Sequence, residues 1–310
     1  MKLSVVATLY RSAAYIEEFY ERITQSARKI TDDYEIILVN DGSPDNSLEK
    51  VITIAKKDTR VTVVDLSRNF GHHKAIMVGL EHASGERVFL IDTDLEEDPA
   101  LLEEFSEIMT EKKCDVVFGI VPKRPHGIII KFLSDAAIKL YKFLSGIQAP
   151  NNQSTVRLMS ARYVKSLLQF HEEELFLAGI FVIAGYEQVA VLVDKKKREE
   201  TSYTFKKRME LFVTAICSFS VKPLVYICYL GVLVFLTSLI MSGYLVIKKI
   251  FFQGVVSGWA SVIVSMWLLG GLMIGCLGIV ALYISKIFIE VKQRPRTIIR
   301  SIHCQSKKHP

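Results

Sequence analysis

The stretch RVFLIDTDLEEDP, residues 87–99, joins an apolar segment to a cluster of carboxylates and decides how the first half of the chain is interpreted. Residues 87–91 predict a β-strand, because a short apolar run that ends in turn residues is typical of a buried strand. Asp92 and Asp94 stand where this strand ends. In isolation, Asp-x-Asp is also the pattern of a solvated acidic turn, so its place in the fold decides its role.

Short apolar runs alternate with helical patterns on both sides of this stretch, over residues 1–120. The alternation predicts an α/β fold with a mainly parallel sheet and helices on both faces. Ligands of such sheets bind outside the carboxyl ends of the strands, so polar residues there are the first site candidates. The predicted strands are 3–8, 34–40, 61–66, 87–91 and 115–119, and the predicted helices are 14–30, 47–57, 72–83 and 99–112.

The last third of the chain is more apolar than the rest and contains two charge-free runs, 223–247 and 250–285. About 20 apolar residues cross a bilayer, so these runs predict two transmembrane helices at about 223–247 and 259–285. A buried helical hairpin in a soluble protein is the alternative. Two basic amphipathic segments, about 127–146 and 204–220, are expected to lie in the membrane interface or, as ordinary helices, to pack on the sheet.

Basic residues flank both predicted spans, whereas the loop between them holds only Lys248 and Lys249. Because Lys and Arg favour the cytoplasmic side, both termini are predicted to be cytoplasmic. The first residues lack the pattern of a signal peptide. We therefore expect a two-pass integral membrane protein, with a cytoplasmic domain at 1–220 and the two spans and a basic cytoplasmic tail within 221–310.

Composition excludes several other classes of protein. The formal net charge of +6 is modest for 310 residues, so no nucleic-acid partner is expected. The five cysteines are widely spaced, odd in number and without a Cys-x-x-Cys pair, which indicates free thiols rather than disulfides or a zinc site. The turn after the first strand has no Gly-x-Gly-x-x-Gly, which argues against a dinucleotide-binding oxidoreductase.

Polar residues also follow the second and third predicted strands. Asp41 could accept hydrogen bonds from a nucleobase or a ribose, or this stretch could be a helix N-cap with turn residues, in which Ser43 or Asp45 serves as the cap. Arg68 and Lys74 could hold a diphosphate, with Gly71 allowing the backbone to approach closely. The sequence therefore predicts a nucleotide site at the same edge as the paired carboxylates.

The paired carboxylates predict a site for one hard cation. Asp92 and Asp94 could bind Mg²⁺ or Mn²⁺, which prefer oxygen ligands and keep part of their coordination shell for water or phosphate. Such a cation would neutralise a departing diphosphate. His72 and His73 are adjacent and cannot easily bind one metal together, so we interpret them as surface or supporting residues.

Six motifs resemble family 2 glycosyltransferases of the polyprenyl-phosphate type, such as dolichol-phosphate mannose synthases and bactoprenol glucosyltransferases. They are NDGSPDNS, LSRNFGHHKA, DTDLEEDP, VRLMS, SFSVKPL and IEVKQRP, in the family's order across nearly the whole chain. The closing pattern from Gly258 to Pro295 resembles the two-span bactoprenol-linked members. The resemblance implies a GT-A-type domain that transfers a sugar, with inversion, from a nucleotide sugar to a polyprenyl phosphate such as undecaprenyl phosphate. The product would be a lipid-linked sugar for glycan or surface polysaccharide modification at a bacterial inner membrane.

The resemblance also implies roles for individual residues. The catalytic residues are Asp92 and Asp94, which hold Mg²⁺ or Mn²⁺ together with Glu96, the counterpart of a family glutamine. The nucleotide-sugar-binding residues are Thr8, Tyr10, Asp41, Arg68, Lys74 and Asp92. The acceptor phosphate-binding residues are Lys123, Arg124, Lys131, Ser134, Arg157 and Arg198. The expected partners are a UDP-sugar in preference to a GDP-sugar, a polyprenyl phosphate, membrane lipids and further copies of the chain in a homo-oligomer.

Besides Glu96, the chain departs from the family pattern in three places. The turn after the first strand lacks a proline, Thr155 replaces an acid, and segment 196–203 lacks a glycine. The departures near Thr155 and Glu199 motivate one alternative, a non-catalytic membrane scaffold or transport subunit that retains the fold. A processive polysaccharide synthase is disfavoured, because neither Trp259 nor Trp267 follows an arginine as that class requires.

Overall fold

The computed structural model describes residues 1–122, 139, 143, 150, 152–173, 175–195, 220, 222–252 and 258–305. The chain divides into two compact units. The first comprises residues 1–131, 148–202 and 294–310, and the second comprises 132–147 and 203–293.

The described residues of the first unit form strands and helices that alternate over its first half. The strands are β1 (Leu3–Leu9), β2 (Tyr34–Asn40), β3 (Val61–Leu66), β4 (Arg87–Asp92), β5 (Val116–Ile120), β6 (Gln153–Ser160), β7 (Gln188–Leu192) and β8 (Ile299–His303). The helices are α1 (Ile16–Ile30), α2 (Ser47–Ala55), α3 (His72–Glu81), α4 (Leu101–Lys112), α5 (Ala161–Leu167) and α6 (Leu177–Ile183).

These strands form one sheet in the order β7-β5-β6-β4-β1-β2-β3-β8. The pairs β1–β2, β1–β4, β2–β3 and β5–β7 are parallel. β6 is antiparallel to both β4 and β5, and β8 is antiparallel to β3. The predicted α/β fold is confirmed, with a mixed sheet that is mainly parallel. The sequence did not predict β6, β7 or β8.

The core lies on both faces of the central strands. Every residue of β1 is buried, as a strand covered on both sides requires. On one face, Phe89 of β4 meets Phe105 of α4 edge to face, with ring centroids 6.3 Å apart. On the other face α3 lies so close to β1 that a Cβ at Gly79 would be 2.4 Å from Val6 Cγ1. With both faces covered, the carboxyl edge of the sheet is the surface where polar strand ends collect.

The second unit contributes two long helices, α7 (Lys222–Phe252) and α8 (Trp259–Val291). Among the described residues, one helical segment, Leu269–Val291, is long and apolar enough to cross a membrane. Only 6% of its most apolar 18-residue stretch is buried within the protein. The described part of α7 contains a shorter apolar helix, Lys222–Val234. One of the two predicted crossings therefore has support, and the crossing predicted at 223–247 is not confirmed.

Two further predictions concern the C-terminal tail and the interface helices. The predicted tail within 221–310 includes β8, which pairs with β3 in the sheet of the first unit. The predicted interface helices lie outside the described residues, apart from Lys139, Phe143 and Ser220.

Candidate active site

The carboxyl ends of β1, β2 and β4 meet at one edge of the sheet. Thr8 of β1 pairs with Asp92 of β4, and Leu9 of β1 pairs with Asn40 of β2. The residues that follow β2 and β4 are therefore neighbours although about fifty positions of chain separate them, a consequence of parallel pairing. The predicted site residues at these strand ends are brought together as expected.

Asp92 is held by two side chains from other elements. The hydroxyl of Thr8 donates to Asp92 Oδ1 over 3.1 Å. His72, at the start of α3, places Nδ1 3.1 Å from Thr8 Oγ1 and Nε2 3.6 Å from Asp92 Oδ1. Because the Thr8 proton goes to the carboxylate, Nδ1 of His72 is the donor to Thr8 Oγ1. The adjacent His72–His73 pair hinted at this role, but only the fold showed which histidine reaches the strand end.

Asp94 lies beside Asp92 in a largely buried position. Burial and the nearby charge of Asp92 raise the pKa of Asp94 to about 6, and the charges of Glu96 and Glu97 act in the same direction. The backbone N–H of Glu96, which donates to Asp94 Oδ1 over 3.1 Å, opposes that rise. Neighbouring carboxylates of this kind repel one another unless a proton or a cation lies between them.

Two carboxylates fit a magnesium-like ion that keeps water and phosphate oxygens in its shell. No group of three or more His, Cys, Asp or Glu side chains suited to a metal lies within the part of the chain that the structure describes. The binding of a cation by Asp92 and Asp94 stays a prediction.

Glu96 and Glu97 face a lysine that the sequence did not single out. Lys195 Nζ lies 2.9 Å from Glu96 Oε2 and 3.0 Å from Glu97 Oε1. Burial alone would lower the pKa of Lys195, but the two carboxylates raise it above its ordinary value. Glu97 is 1% exposed, accepts a hydrogen bond from the Ser154 hydroxyl, and has no hydrogen-bond partner for Oε2 among the described residues. The carboxylate of Glu96 was predicted to approach a metal, but in the structure it forms an ion pair with the ammonium of Lys195.

Asp41 is 3% exposed and holds the loop that follows β3. Its Oδ1 accepts from the backbone N–H of Phe70 over 2.7 Å, and its Oδ2 accepts from that of Gly71 over 3.0 Å. Gly42, with φ +58°, lies directly against the same loop, since a Cβ there would be 2.4 Å from the carbonyl carbon of Arg68. Asp41 therefore shapes the predicted nucleotide site through the backbone, and its contact with a nucleotide stays a prediction.

The other residues predicted to bind the nucleotide sugar lie at exposed or partly exposed positions around this loop. Arg68 is exposed, with its guanidinium carbon 4.2 Å from the centre of the Phe70 ring. Tyr10 is 43% exposed at the end of β1. Lys74 Nζ lies 3.9 Å from Glu173 Oε2. Arg68 and Tyr10 are accessible to a ligand, and the binding roles of all three stay predictions.

Arg157 is the described member of the predicted acceptor group, and it lies inside the protein. It is 1% exposed, its guanidinium carbon is 3.3 Å from the centre of the Phe181 ring, and it donates to the carbonyls of Ser154 and Thr155. Burial lowers the pKa of Arg157 to about 9. These contacts favour packing over phosphate binding. The other members lie outside the described residues: Lys123, Arg124, Lys131, Ser134 and Arg198.

Residues 4–168 match the family model described as Glycosyl transferase family 2. The chain belongs to glycosyl transferase family 2. Its sheet is accordingly of the GT-A-like α/β type, and the prediction that the protein is a glycosyltransferase enzyme is confirmed.

Relatives of this family 2 glycosyltransferase match it from end to end. It is 50% identical over 303 residues to a Mycobacterium tuberculosis (strain CDC 1551 / Oshkosh) protein whose name assigns it provisionally to the glycosyltransferases, covering 98% of this chain and 89% of that one. It is 30% identical over 312 residues to the SfII prophage-derived bactoprenol glucosyl transferase of Shigella flexneri, covering 98% and 99%. Among solved structures, it resembles glucosyl-3-phosphoglycerate synthase from Mycobacterium tuberculosis, with 18% identity, a TM-score of 0.49 and coverage of 70% and 78%.

Proposed function

We propose that this family 2 glycosyltransferase performs an inverting, metal-dependent transfer of a sugar from a nucleotide sugar to a polyprenyl phosphate at the cytoplasmic face of a membrane. The observation that carries the proposal is the pairing of Asp92 with Asp94 at the strand ends, where burial and mutual repulsion raise the pKa of Asp94 to about 6. A site built this way favours a divalent cation. Such an ion, when bound, neutralises the nucleoside diphosphate that leaves the sugar.

The donor is proposed to bind along the loop Ser67–Gly71. Arg68 is exposed on this loop and supplies a charge-assisted contact for a diphosphate. Asp41 holds the loop in place through the amides of Phe70 and Gly71. Thr8 holds the carboxylate of Asp92 at the end of β4. A UDP-sugar is proposed in preference to a GDP-sugar, the choice that the resemblance in sequence favours.

The acceptor is proposed to be a polyprenyl phosphate, for two reasons. The chain is similar over nearly its whole length to a protein named as a bactoprenol glucosyl transferase. A phosphate monoester is also largely ionised near neutral pH, so the attacking oxygen needs no strong general base. The protein's task is then to align two anions for attack at the sugar carbon. The residues proposed to hold the acceptor phosphate are Lys123, Arg124, Lys131, Ser134 and Arg198.

The membrane arrangement is proposed as two-pass, with both termini in the cytoplasm. Segment Leu269–Val291 supports one crossing by its length and composition. The basic residues that flank the apolar region support the orientation, because Lys and Arg are retained on the cytoplasmic side. A lipid acceptor would then keep its tail in the bilayer while its phosphate reaches the cytoplasmic site.

The proposal is tested with the purified full-length protein in detergent. The protein is incubated with Mg²⁺, undecaprenyl phosphate and a panel of labelled nucleotide sugars, and label is measured in the organic-extractable lipid. We expect transfer from one donor, loss of transfer on chelation, and a rate at least about a hundredfold lower for Asp94→Asn, because electrostatic stabilisation of the leaving group is removed.

Asp98→Asn is the matched control, since Asp98 lies in the same acidic run but pairs with Arg22, 2.6 Å away. We expect it to transfer at close to the wild-type rate. Transfer by Asp94→Asn at the wild-type rate would remove the paired carboxylates from the mechanism. Transfer to a water-soluble acceptor but not to the lipid would contradict the proposed acceptor.

A further inference from the structure

Strand β8 contains an irregularity at the point where it passes the end of β3. Ser301 pairs with Asp65 and Ile299 pairs with Leu66, so Arg300 has no residue opposite it. An extra residue of this kind forms a β-bulge, which redirects its side chain relative to the regular pleat. The bulge places Arg300 beside the start of the loop Ser67–Gly71.

The guanidinium of Arg300 contacts both the end of β3 and the first residue of that loop. Its Nη1 lies 3.4 Å from Asp65 Oδ2, and its Nη2 donates to the carbonyl oxygen of Ser67. The backbone N–H of Ser67 in turn donates to the carbonyl of Ile298 over 2.8 Å. Ser67 is thus held from both its donor and its acceptor side by a segment that lies 233 positions later in the chain.

A buried chain of hydrogen bonds continues from Asp65 to the neighbouring loop. Asp65 Oδ1 accepts from Asn40 Nδ2 over 2.8 Å, and Asn40 Oδ1 accepts from the backbone N–H of Ser43 over 3.2 Å. Asn40 and Asp65 are each 2% exposed, so water cannot replace these partners. Arg300 is therefore connected to both loops that carry the predicted donor residues Asp41 and Arg68.

We infer that Arg300 is a positioning residue for the donor site, which holds the loop Ser67–Gly71, and with it Arg68, in the conformation that receives a diphosphate. The identity of the ligand rests on the proposed function, whereas the effect on the loop does not. Arg300 is 57% exposed at its side chain, while its partner Asp65 is 2% exposed. Removing the guanidinium leaves the buried carboxylate of Asp65 with one fewer partner and removes one of the two contacts that tie Ser67 to this segment.

The first test measures amide hydrogen exchange of the full-length protein in detergent, without ligand. In Arg300→Ala we expect the amides of residues 67–71 to exchange about fivefold faster than in the wild type. This factor corresponds to the stabilisation that a partly exposed ion pair contributes. Peptides from β1 and β4 should exchange at the wild-type rate. In Arg300→Lys the exchange rate of residues 67–71 should lie between those of the wild type and Arg300→Ala, because an ammonium makes one strong contact where the guanidinium makes two. Arg294→Ala removes an exposed arginine of the same segment and is the control.

The second test separates this inference from the proposed function. With the nucleotide sugar that the wild type uses, Arg300→Ala should raise the donor KM about fivefold while kcat changes less, since the lost contact acts on binding. If the wild type transfers no sugar, the proposed function fails, and hydrogen exchange still decides the role of Arg300. Wild-type exchange across residues 67–71 in Arg300→Ala would overturn the inference. Faster exchange of the whole sheet in both Arg300→Ala and Asp65→Asn would also overturn it, because it would show a general structural role.

Discussion

At the scale of residues, the acidic run after β4 divides into two pairs with different surroundings. Asp92 and Asp94 lie close together, and the pKa of Asp94 is raised to about 6 by burial and by Asp92. Glu96 and Glu97 share the ammonium of Lys195 instead. The run is therefore not a uniform patch of negative charge. Glu96 and Glu97 are paired with a cation of the protein itself, whereas the binding of a divalent cation by Asp92 and Asp94 stays a proposal.

Lys195→Met is expected to destabilise the protein. Glu97 is 1% exposed and would lose the one cation that it contacts in the described structure. Breaking a buried pair by removing one partner costs about 3 kcal/mol, because the remaining charge is left uncompensated. Thermal unfolding in detergent, followed by circular dichroism, should show a lower Tm for Lys195→Met. The double variant Lys195→Met/Glu97→Gln should recover part of the loss.

Lys165→Met is the control for this prediction. Lys165 is an exposed lysine of α5, so its replacement should leave Tm close to the wild-type value. Equal Tm values for Lys195→Met and Lys165→Met would show that the contact with Glu97 contributes nothing to stability.

At the scale of elements, the loops after β1, β2 and β3 interlock. Asp45, just before α2, accepts from the backbone N–H groups of Ala13 and Ser47, so it joins the loop after β1 to the first residue of α2. Asp41 joins the loop after β2 to that after β3. The predicted alternative, an N-cap role for Asp45, is wrong: Asn46 is the N-cap of α2 without a side-chain capping bond, and Asp45 accepts instead from the backbone N–H of Ser47. These bonds explain how segments without regular structure keep a fixed arrangement at the site.

The carboxylate of Asp45 is expected to stabilise the fold in a way that is lost in acid. Burial would raise its pKa, but hydrogen bonds from Ser43, Ser47 and Ala13 outweigh it and lower the pKa from 3.8 to about 2. A depressed pKa means that the folded state favours the ionised form, so the contribution is complete above about pH 4 and is lost as pH falls toward 2. Asp45→Asn should cost about 0.5–1 kcal/mol at neutral pH, a value limited by the exposure of the carboxylate.

The measurement is the Tm difference between the wild type and Asp45→Asn, taken at intervals between about pH 6 and pH 2. The difference should shrink as the pH falls. Asp32→Asn, which removes an exposed carboxylate elsewhere in the first unit, controls for the loss of one charge. A difference that grows on acidification would contradict the depressed pKa.

At the scale of the whole molecule, the chain combines a mixed sheet with a long apolar helix. Side chains along α8 that would be hidden in a soluble core are exposed, among them Met273 at 64% and Ile274 at 71%. An exposed apolar surface of this length is typical of a segment that contacts lipid. The second unit therefore contains the candidate membrane-spanning segment, while the first unit carries the candidate active site.

Val280→Lys, in the middle of Leu269–Val291, tests whether α8 crosses a membrane. A lysine near the centre of a span costs about 2.5–3.5 kcal/mol for insertion. We expect a smaller fraction of this variant to remain in membranes after an alkaline carbonate wash, measured by immunoblotting of the pellet and the supernatant. Ile298→Lys, at an exposed position beyond α8, is the matched control and should stay with the pellet. Equal retention of both variants would contradict a crossing at Leu269–Val291.

The sequence by itself determined the alternation of strands and helices over the first 120 residues, the placing of Asp92 and Asp94 at a strand end, and the resemblance to the family that was then confirmed. Each of these depends on neighbours in the chain: the period of apolar residues, the turn after a strand, and short motifs. The predicted helix starts differ from the observed ones by no more than about two residues, as at α1 and α4, because capping signals do not define a boundary to the residue.

Only the tertiary structure decided which residues support the site. Lys195 meets Glu97 across 98 positions of chain, and Arg300 meets Ser67 across 233. No local pattern predicts such pairs, because they depend on the order of strands in the sheet and on a bulge in β8. The same holds for Arg157, whose burial against Phe181 follows from the antiparallel position of β6. Chemistry at strand ends is encoded locally, whereas the contacts that position it are created when distant segments pair.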